Sequence, residues 1–248
     1  MLHGGPGSAH DALEGLGALA EHGRRVVFYD QLGSGESDRP DDPSLWTVET
    51  FLQQLQSVRD GLGLGRIHLF GSSWGGMLAL EYALTQPDGL AGLVLNSTPT
   101  SAPRWAEETA RLAAGLDEQA FRRRHIIRLE PEPEVLERAR AKFGKQVYET
   151  MWGPNEFTVT GMLKDWDVTD RLGEIRVPTL ITSGRHDECT PVLVEPLHEG
   201  IAGSEWVIFE ESAHMPYLEE PGRYLQVVAE FLERVDEARR AAGLESSS

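Results

Sequence analysis

The sequence has only one cysteine, Cys189, among its 248 residues, and it has few basic side chains. A lone cysteine excludes an intrachain disulfide and any zinc site built from several cysteines. Lys and Arg number 23 against 40 Asp and Glu, so the net charge is −17. Nucleic-acid phosphates are bound by clustered Lys and Arg. The composition therefore predicts that nucleic acid is not a partner.

Long apolar runs are also missing. No segment approaches the roughly 18–20 apolar residues that cross a bilayer, and residues 1–6 lack the basic and apolar regions of a signal peptide. We therefore expect no membrane partner and a cytoplasmic location. The shares of hydrophobic residues (40%) and charged residues (25%) are typical of a folded globular protein.

Short apolar runs alternate with helix-like stretches, which predicts an α/β fold with a mostly parallel sheet. The predicted strands are residues 25–30, 67–71, 90–95, 178–183 and 206–209. The predicted helices are residues 11–21, 47–61, 74–85, 191–200 and 224–240. Because the strands are apolar without clean alternation, we expect helices on both faces of the sheet.

Residues 99–170 break this order. They are rich in charge, contain Trp105, Trp152 and Trp166, and include no convincing strand. We interpret them as a helical cap inserted into a core formed by residues 1–98 and 171–248. The three arginines at 122–124 are interpreted as a solvated helix face, with phosphate binding as the alternative.

The segment FGSSWGG contains the pattern G-x-S-x-G, with Gly71, Ser73 and Gly75 in the fixed places. An apolar strand precedes it and a helix-forming run follows it, as in a nucleophile elbow. Small neighbours permit a strained turn that lifts the Ser73 side chain above the strand ends. The Trp74 N–H would then point into the site as an oxyanion donor at the start of the next helix. We predict that Ser73 is a catalytic nucleophile.

A serine hydroxyl needs a base, and a nucleophile of this type is followed along the chain by an acid and then a histidine. His214 follows the last predicted strand, and Asp187 follows the strand before it. Both therefore belong to loops at the carboxyl edge of the sheet, where catalytic groups gather. His186 is next to the acid but has the wrong chain order. The predicted triad is Ser73, Asp187 and His214, with Asp187 orienting the imidazole.

The glycine-rich segment HGGPG at residues 3–7 suggests the other half of an oxyanion hole. Glycine lets a backbone N–H approach a developing negative charge where a Cβ would obstruct it. Read alone, the segment could be a tight turn, but Ser73 in the same chain favours the oxyanion interpretation. Gly5 is the expected donor, and the imidazole of His3 is expected to be structural.

Together these segments resemble the α/β-hydrolase fold and, more narrowly, the proline iminopeptidase family of serine aminopeptidases. The resemblance spans essentially the whole chain and depends on the motifs HGGPG, YDQLGSGES, GSSWGG, GRHDECTP and SAH at residues 3–7, 29–37, 71–76, 184–191 and 212–214. The arginine that usually follows Gln in this family is Leu32 here. That change resembles the branch with broader aminopeptidase and amino-acid amidase activity.

The segment GPNEF at residues 153–157 also resembles that branch, whose members bind the free α-amino group of the substrate with two glutamates. The matching residues are Glu156 and Glu188. A buried ammonium near the nucleophile needs anionic partners. A pair of carboxylates would also reject substrates without an amine, because the acids would then stay unpaired.

The sequence departs from the family at its start. The resemblance implies a strand and a hairpin before the HGG turn, but only Met1 and Leu2 precede His3. We expect either that N-terminal strands are truncated and the chain is a fragment of a longer protein, or that the sheet is gapped and the oxyanion loop is poorly held.

The sequence therefore predicts a serine hydrolase that releases an N-terminal residue, proline or another small or apolar one, from small peptides or amino-acid amides through an acyl-enzyme. No metal or cofactor is implied, since neither H-E-x-x-H nor a P-loop occurs. One alternative is a carboxylesterase or lactonase with the same triad. Another is a catalytically impaired scaffold on the same fold.

Overall fold

The computed structural model describes residues 1–243, so the last residues of the predicted core, 244–248, lie outside it. Within this part a four-stranded sheet has the order β1-β2-β3-β4, and all three pairings are parallel. The strands are β1 Ile67–Ser72, β2 Leu90–Asn96, β3 Thr179–Gly184 and β4 Glu205–Phe209. Four predicted strands and their parallel arrangement are thus confirmed.

The prediction of a strand at residues 25–30 was wrong. Among the described residues, residues 25–30 form no ladder of strand hydrogen bonds. The Val27 carbonyl accepts a single hydrogen bond, from the Met1 amino group at 2.9 Å. Leu2 instead pairs with β1, donating from its N–H to the Phe70 carbonyl at 2.8 Å and accepting from the Ser72 N–H at 3.1 Å. A strand requires a continuous ladder of hydrogen bonds with a neighbouring strand. Between residues 25–30 and β1 lie Met1, Leu2 and a cavity of about 350 Å³.

Alternate residues of the central strands enter two separate apolar layers. Leu69 and Leu93 pack on one face of the sheet, and Phe70 and Val94 pack on the other. Because side chains alternate across a strand, apolar residues at consecutive positions require cover on both sides. This explains the lack of hydrophobic alternation in the sequence.

The first of these layers contains helices α1 Val48–Gly61, α2 Trp74–Leu84 and α7 Pro191–Gly200. The second contains helix α9 Pro221–Ala241 and a 3₁₀ helix, His10–His22. The latter corresponds to the helix predicted at 11–21. Two glycines, at positions 15 and 17, disfavour an α-helix there.

The chain between β2 and β3 forms helices α3 Ala102–Ala113, α4 Glu118–Phe121, α5 Glu134–Ala141 and α6 Lys145–Met151, a π-helix, Arg122–Ile126, and a 3₁₀ helix, Thr169–Glu174. Within residues 1–243 its only β pairings are isolated bridges, between Ser101 and Asp167 and between Asn155 and Thr158. Buried Asp11 accepts hydrogen bonds from Arg138 and Lys142 at 3.4 and 3.2 Å. These charged contacts fasten the helical segment to the 3₁₀ helix His10–His22.

The two short elements that complete the chain are the 3₁₀ helix Pro43–Leu45 and helix α8 Pro216–Glu219. Helix α1 begins at Val48, and the preceding Thr47 caps it, because the Thr47 hydroxyl accepts from the Thr50 N–H at 3.2 Å. Across residues 1–243, no helix is both long enough and apolar enough to cross a bilayer.

Candidate active site

Ser73 lies at the turn between β1 and α2 with φ 55° and ψ −120°, a conformation that is costly for a residue with a side chain. The turn is possible because the residues two positions before and two positions after Ser73 are both glycine. A Cβ on Gly71 would collide with the Gly75 backbone, and a Cβ on Gly75 would collide with the Leu2 carbonyl. The Ser73 N–H donates to the Asn96 carbonyl at 2.9 Å. The sequence-predicted elbow is therefore present in the fold.

His214 and Asp187 come together at the carboxyl ends of β3 and β4. The two side chains are hydrogen bonded, with His214 Nδ1 at 2.7 Å from Asp187 Oδ1. Asp187 Oδ1 also accepts from the Cys189 N–H at 2.8 Å, which fixes the carboxylate. Asp187 is 1% exposed and His214 is 6% exposed, so water screens this pair weakly.

Asn96 connects the serine turn to the histidine loop. Its carbonyl accepts from the Ser73 N–H, and its Nδ2 donates to the His214 carbonyl at 3.3 Å. The Ser97 hydroxyl donates to the same carbonyl at 3.0 Å. Among residues 1–243 no hydrogen bond joins Ser73 Oγ to the imidazole. Such contacts are often long without substrate and tighten when it binds.

Gln31 fastens the HGGPG loop. Its Nε2 donates to the His3 carbonyl at 2.9 Å, and its Oε1 accepts from the Trp74 indole at 2.8 Å. Its N–H donates to His3 Nε2 at 2.9 Å, so the ring proton of His3 resides on Nδ1, which faces the Gly4 carbonyl at 3.0 Å. Burial lowers the pKa of His3 to about 4, which keeps this ring neutral. The expectation of a poorly held loop is therefore not met, and His3 has the structural role that was predicted.

The loop brings two consecutive glycines to Ser73. A Cβ on Gly4 would lie 3.3 Å from Ser73 Cβ and 3.9 Å from its Oγ, so the backbone passes directly beside the serine. Gly5 has φ +116°, which favours glycine. Neither the Gly5 N–H nor the Trp74 N–H has a hydrogen-bond acceptor within residues 1–243. Both predicted donors are thus free of competing partners in that range.

Glu188 is a buried carboxylate beside the predicted triad. It is 2% exposed, and its Oε1 lies 3.8 Å from His214 Nδ1. Its Oε2 is buried and accepts no hydrogen bond within residues 1–243. Burial raises the pKa of Glu188 well above its ordinary value, and the negative charge of Glu156 raises it further. A buried acceptor without a partner is costly unless something with a donor occupies the site.

Glu156 lies on the helical segment and faces the same site. Its backbone carbonyl accepts from the indoles of Trp105 at 2.9 Å and Trp152 at 3.4 Å, which fixes its position. Burial raises the pKa of the Glu156 carboxyl, and the adjacent Tyr148 hydroxyl partly offsets this by hydrogen bonding to it. The two predicted glutamates lie within electrostatic range of each other, since the charge of Glu156 acts on Glu188.

The imidazole responds to three nearby acids. Burial lowers the pKa of His214, but the charges of Asp187, Glu188 and Glu156 outweigh burial and raise this pKa to about 9. The three acids therefore favour the protonated form of the imidazole. A cation bound between the glutamates would reduce that effect.

Several residues of the site had not been predicted. The Trp105 ring lies edge-on to the His214 imidazole with 6.1 Å between centroids, and Tyr148 lies beside Glu156. Both belong to the segment between β2 and β3, and neither lies within the GPNEF motif, which marks Glu156 there. Gln31 was part of a quoted motif, but its role depends on contacts with His3 and Trp74 that spacing does not reveal.

Comparison with known proteins identifies the family. Residues 1–221 match the family model described as the alpha/beta hydrolase fold. The chain is 41% identical to the proline iminopeptidase of Lactobacillus acidophilus, over 95% of this chain and 90% of that protein. It is also 41% identical to the proline iminopeptidase of Saccharolobus solfataricus, over 94% of this chain and 84% of that protein.

Solved structures agree with these relatives. The crystal structure of proline iminopeptidase from Mycobacterium smegmatis has a TM-score of 0.90 and 38% identity, over 96% of this chain and 89% of that one. The crystal structure of VinJ has the same TM-score of 0.90 and 40% identity, over 94% and 89% of the two chains. The chain therefore belongs to the α/β-hydrolase fold and, within it, to the proline iminopeptidase family.

Proposed function

We propose that the protein is a serine aminopeptidase that removes an N-terminal proline, or another small or apolar residue, from short peptides and amino-acid amides. The observation that carries the proposal is the buried Oε2 of Glu188, which has no hydrogen-bond partner within residues 1–243. An ammonium group supplies the positive charge and the donors that this oxygen needs. Glu156, from the helical segment, provides the second carboxylate.

The reaction begins when Ser73 Oγ attacks the carbonyl carbon of the first residue. His214 takes the hydroxyl proton through Nε2, while Asp187 holds Nδ1–H and stabilises the imidazolium. The N–H groups of Gly5 and Trp74 donate to the oxyanion that develops on the carbonyl oxygen. His214 then gives its proton to the leaving amine, and an acyl-enzyme on Ser73 results.

Water completes the cycle. His214 again acts as the base, a water molecule attacks the ester of the acyl-enzyme, and the free amino acid leaves. Residues 99–170 form the cap in this proposal, and residues 1–98 and 171–248 form the catalytic core. The cap supplies Glu156 and the core supplies Glu188, so the ammonium is held between them.

The preference for proline and other small residues has separate support. The related proteins named above are proline iminopeptidases, and Leu32 stands where the family usually has arginine. That change resembles the branch that also accepts amino-acid amides. We therefore include alanine and other small apolar residues at the first position.

The test is hydrolysis of prolyl-4-nitroanilide, alanyl-4-nitroanilide and 4-nitrophenyl acetate by the wild-type protein and the Ser73→Ala variant. We expect the anilides to be hydrolysed by the wild type, and Ser73→Ala to lose this activity by at least about a thousandfold. Ester cleavage without anilide cleavage would instead indicate a carboxylesterase. Activity that persists in Ser73→Ala would refute the role of this serine.

Labelling with a fluorophosphonate probe provides the second readout. The probe reacts with an activated serine, so wild-type protein should be labelled at Ser73 and the Ser73→Ala variant should not. A well-folded wild-type protein without labelling would favour a non-catalytic scaffold.

A further inference from the structure

A second cavity is lined by His3 and Gly4 of the HGGPG loop. Its volume is about 140 Å³, enough for one small side chain. Gly4, which passes beside Ser73, forms one wall, and Met215, which follows the catalytic histidine, forms another. Apolar residues dominate the lining, including Leu13, Leu136 and Phe143. This position suits the part of a substrate that lies beyond the bond being cleaved.

Arg122 brings a positive charge to this mostly apolar cavity. Its Nε and Nη2 donate to the two carboxylate oxygens of Glu132 at 2.7 and 3.0 Å. Glu132 also accepts from Arg140, which lines the same cavity. This fork–fork contact fixes the guanidinium plane. The remaining nitrogen of Arg122, Nη1, donates no hydrogen bond within residues 1–243.

Arg122 also borders a neighbouring cavity of about 310 Å³, which Glu156 lines. One guanidinium therefore stands between the proposed ammonium site and the cavity beside Gly4. A substrate that places its amine at Glu156 and Glu188, and its scissile carbonyl at Ser73, would extend its leaving group towards Arg122. A carboxylate is the group that a fixed guanidinium binds best.

We infer that Arg122 binds the carboxylate of the leaving group. The preferred substrates are then dipeptides and tripeptides, whose free carboxylate lies within one or two residues of the cleaved bond. This assignment depends on the proposed aminopeptidase function. The small apolar cavity adds a preference for a small second residue. The enzyme would then act on the last products of peptide breakdown, which endopeptidases and other exopeptidases supply.

The test compares prolyl-alanine with prolyl-alaninamide, which differ only in the terminal carboxylate. Wild-type protein should have a kcat/KM about tenfold higher for the free acid, as expected for a charge-assisted contact in a partly exposed site. Arg122→Gln should bring the ratio of the two values close to one. Arg122→Lys should retain part of the preference.

Arg123→Gln is the matched control, because Arg123 lies on the same helical turn but lines a different cavity with Arg124 and His186. It should keep the wild-type ratio. Equal kcat/KM values for acid and amide in the wild type, or an unchanged ratio in Arg122→Gln, would overturn the assignment of Arg122 alone. Failure to cleave any aminoacyl substrate would overturn the proposed function as well. The ratio in the wild type is informative even if Arg122→Gln does not fold.

Discussion

Oε1 of Glu188 lies 3.8 Å from Nδ1 of His214. The site that we propose for the substrate amine therefore shares its electrostatic environment with the base that we propose, His214. The same negative charge that attracts an ammonium also favours the protonated imidazole, which cannot accept the serine proton. A bound ammonium compensates that charge, so we expect a substrate with a free amine both to bind and to convert His214 into a base.

This relationship predicts a shift in pH dependence. In the free protein, burial lowers the pKa of His214, but Asp187, Glu188 and Glu156 raise it to about 9. Glu188→Gln removes one negative charge, so the pKa should fall and the neutral base should persist to lower pH. The rate of inactivation by a fluorophosphonate, measured from pH 5 to about 10, reports this ionisation without an amine in the reagent. An apparent pKa that is unchanged or higher in Glu188→Gln would contradict the prediction.

Replacing Asp187, the acid of the proposed triad, should have a much larger effect on rate. Asp187→Asn keeps the size of the side chain but no longer stabilises the imidazolium or fixes its tautomer. We expect kcat for prolyl-4-nitroanilide to fall by about 10⁴-fold, as in other serine triads. Asp170→Asn, a change at an exposed aspartate, is the control and should keep wild-type kcat. A loss below about tenfold in Asp187→Asn would show that another acid orients His214.

Gln31 should matter for both stability and rate. Gln31→Met removes the group that donates to the His3 carbonyl and the group that accepts from the Trp74 indole. Both partners then stay buried without a hydrogen bond. The free energy of unfolding should fall by about 2–6 kcal/mol, at 1–3 kcal/mol for each of the two unpaired groups. We also expect kcat to fall by at least about tenfold, because both oxyanion donors lose their common support. Denaturant unfolding and steady-state kinetics measure the two effects.

The control for that variant is Gln53→Met. Gln53 is exposed on α1 and its side chain donates to Glu49, one turn earlier on the same helix. Its replacement should change stability by less than about 0.5 kcal/mol. Equal effects of the two substitutions would show that Gln31 does not connect the loop to the nucleophile turn.

The central part of the fold could be predicted because its signals are local. Gly71, Ser73 and Gly75 mark the turn, an apolar strand precedes it, and α2 follows it. Asp187 and His214 could be placed because loops at the carboxyl ends of parallel strands share one edge of the sheet. These inferences need only the order of elements along the chain.

The parts that were missed depend on distant contacts. Residues 25–30 have the composition of a strand, but strand formation requires a ladder of hydrogen bonds to a neighbouring backbone. Beside them, Met1 donates to the Val27 carbonyl and Leu2 pairs with β1, which is not a ladder. Trp105 and Tyr148 reach the site because the helical segment packs against the loops after β3 and β4, where the N–H groups of Glu188 and His214 donate to its backbone carbonyls. The sequence predicts that Arg122 belongs to a solvated helix face with the two arginines that follow it. In the structure, Glu132 binds the Arg122 side chain at the edge of two cavities.

The most direct test of the central claim is the ratio of kcat/KM for prolyl-4-nitroanilide to kcat/KM for its N-acetyl derivative. The ratio is measured in the wild type, in Glu188→Gln and in the control Glu195→Gln, which changes an exposed glutamate of α7. The amine sites at Glu156 and Glu188 predict a wild-type ratio of at least about 10³, because acetylation leaves buried carboxylates unpaired. Glu188→Gln should lower the ratio by at least about tenfold, and Glu195→Gln should leave it unchanged. Faster hydrolysis of the acetylated substrate, or a ratio that Glu188→Gln does not alter, would contradict the proposal.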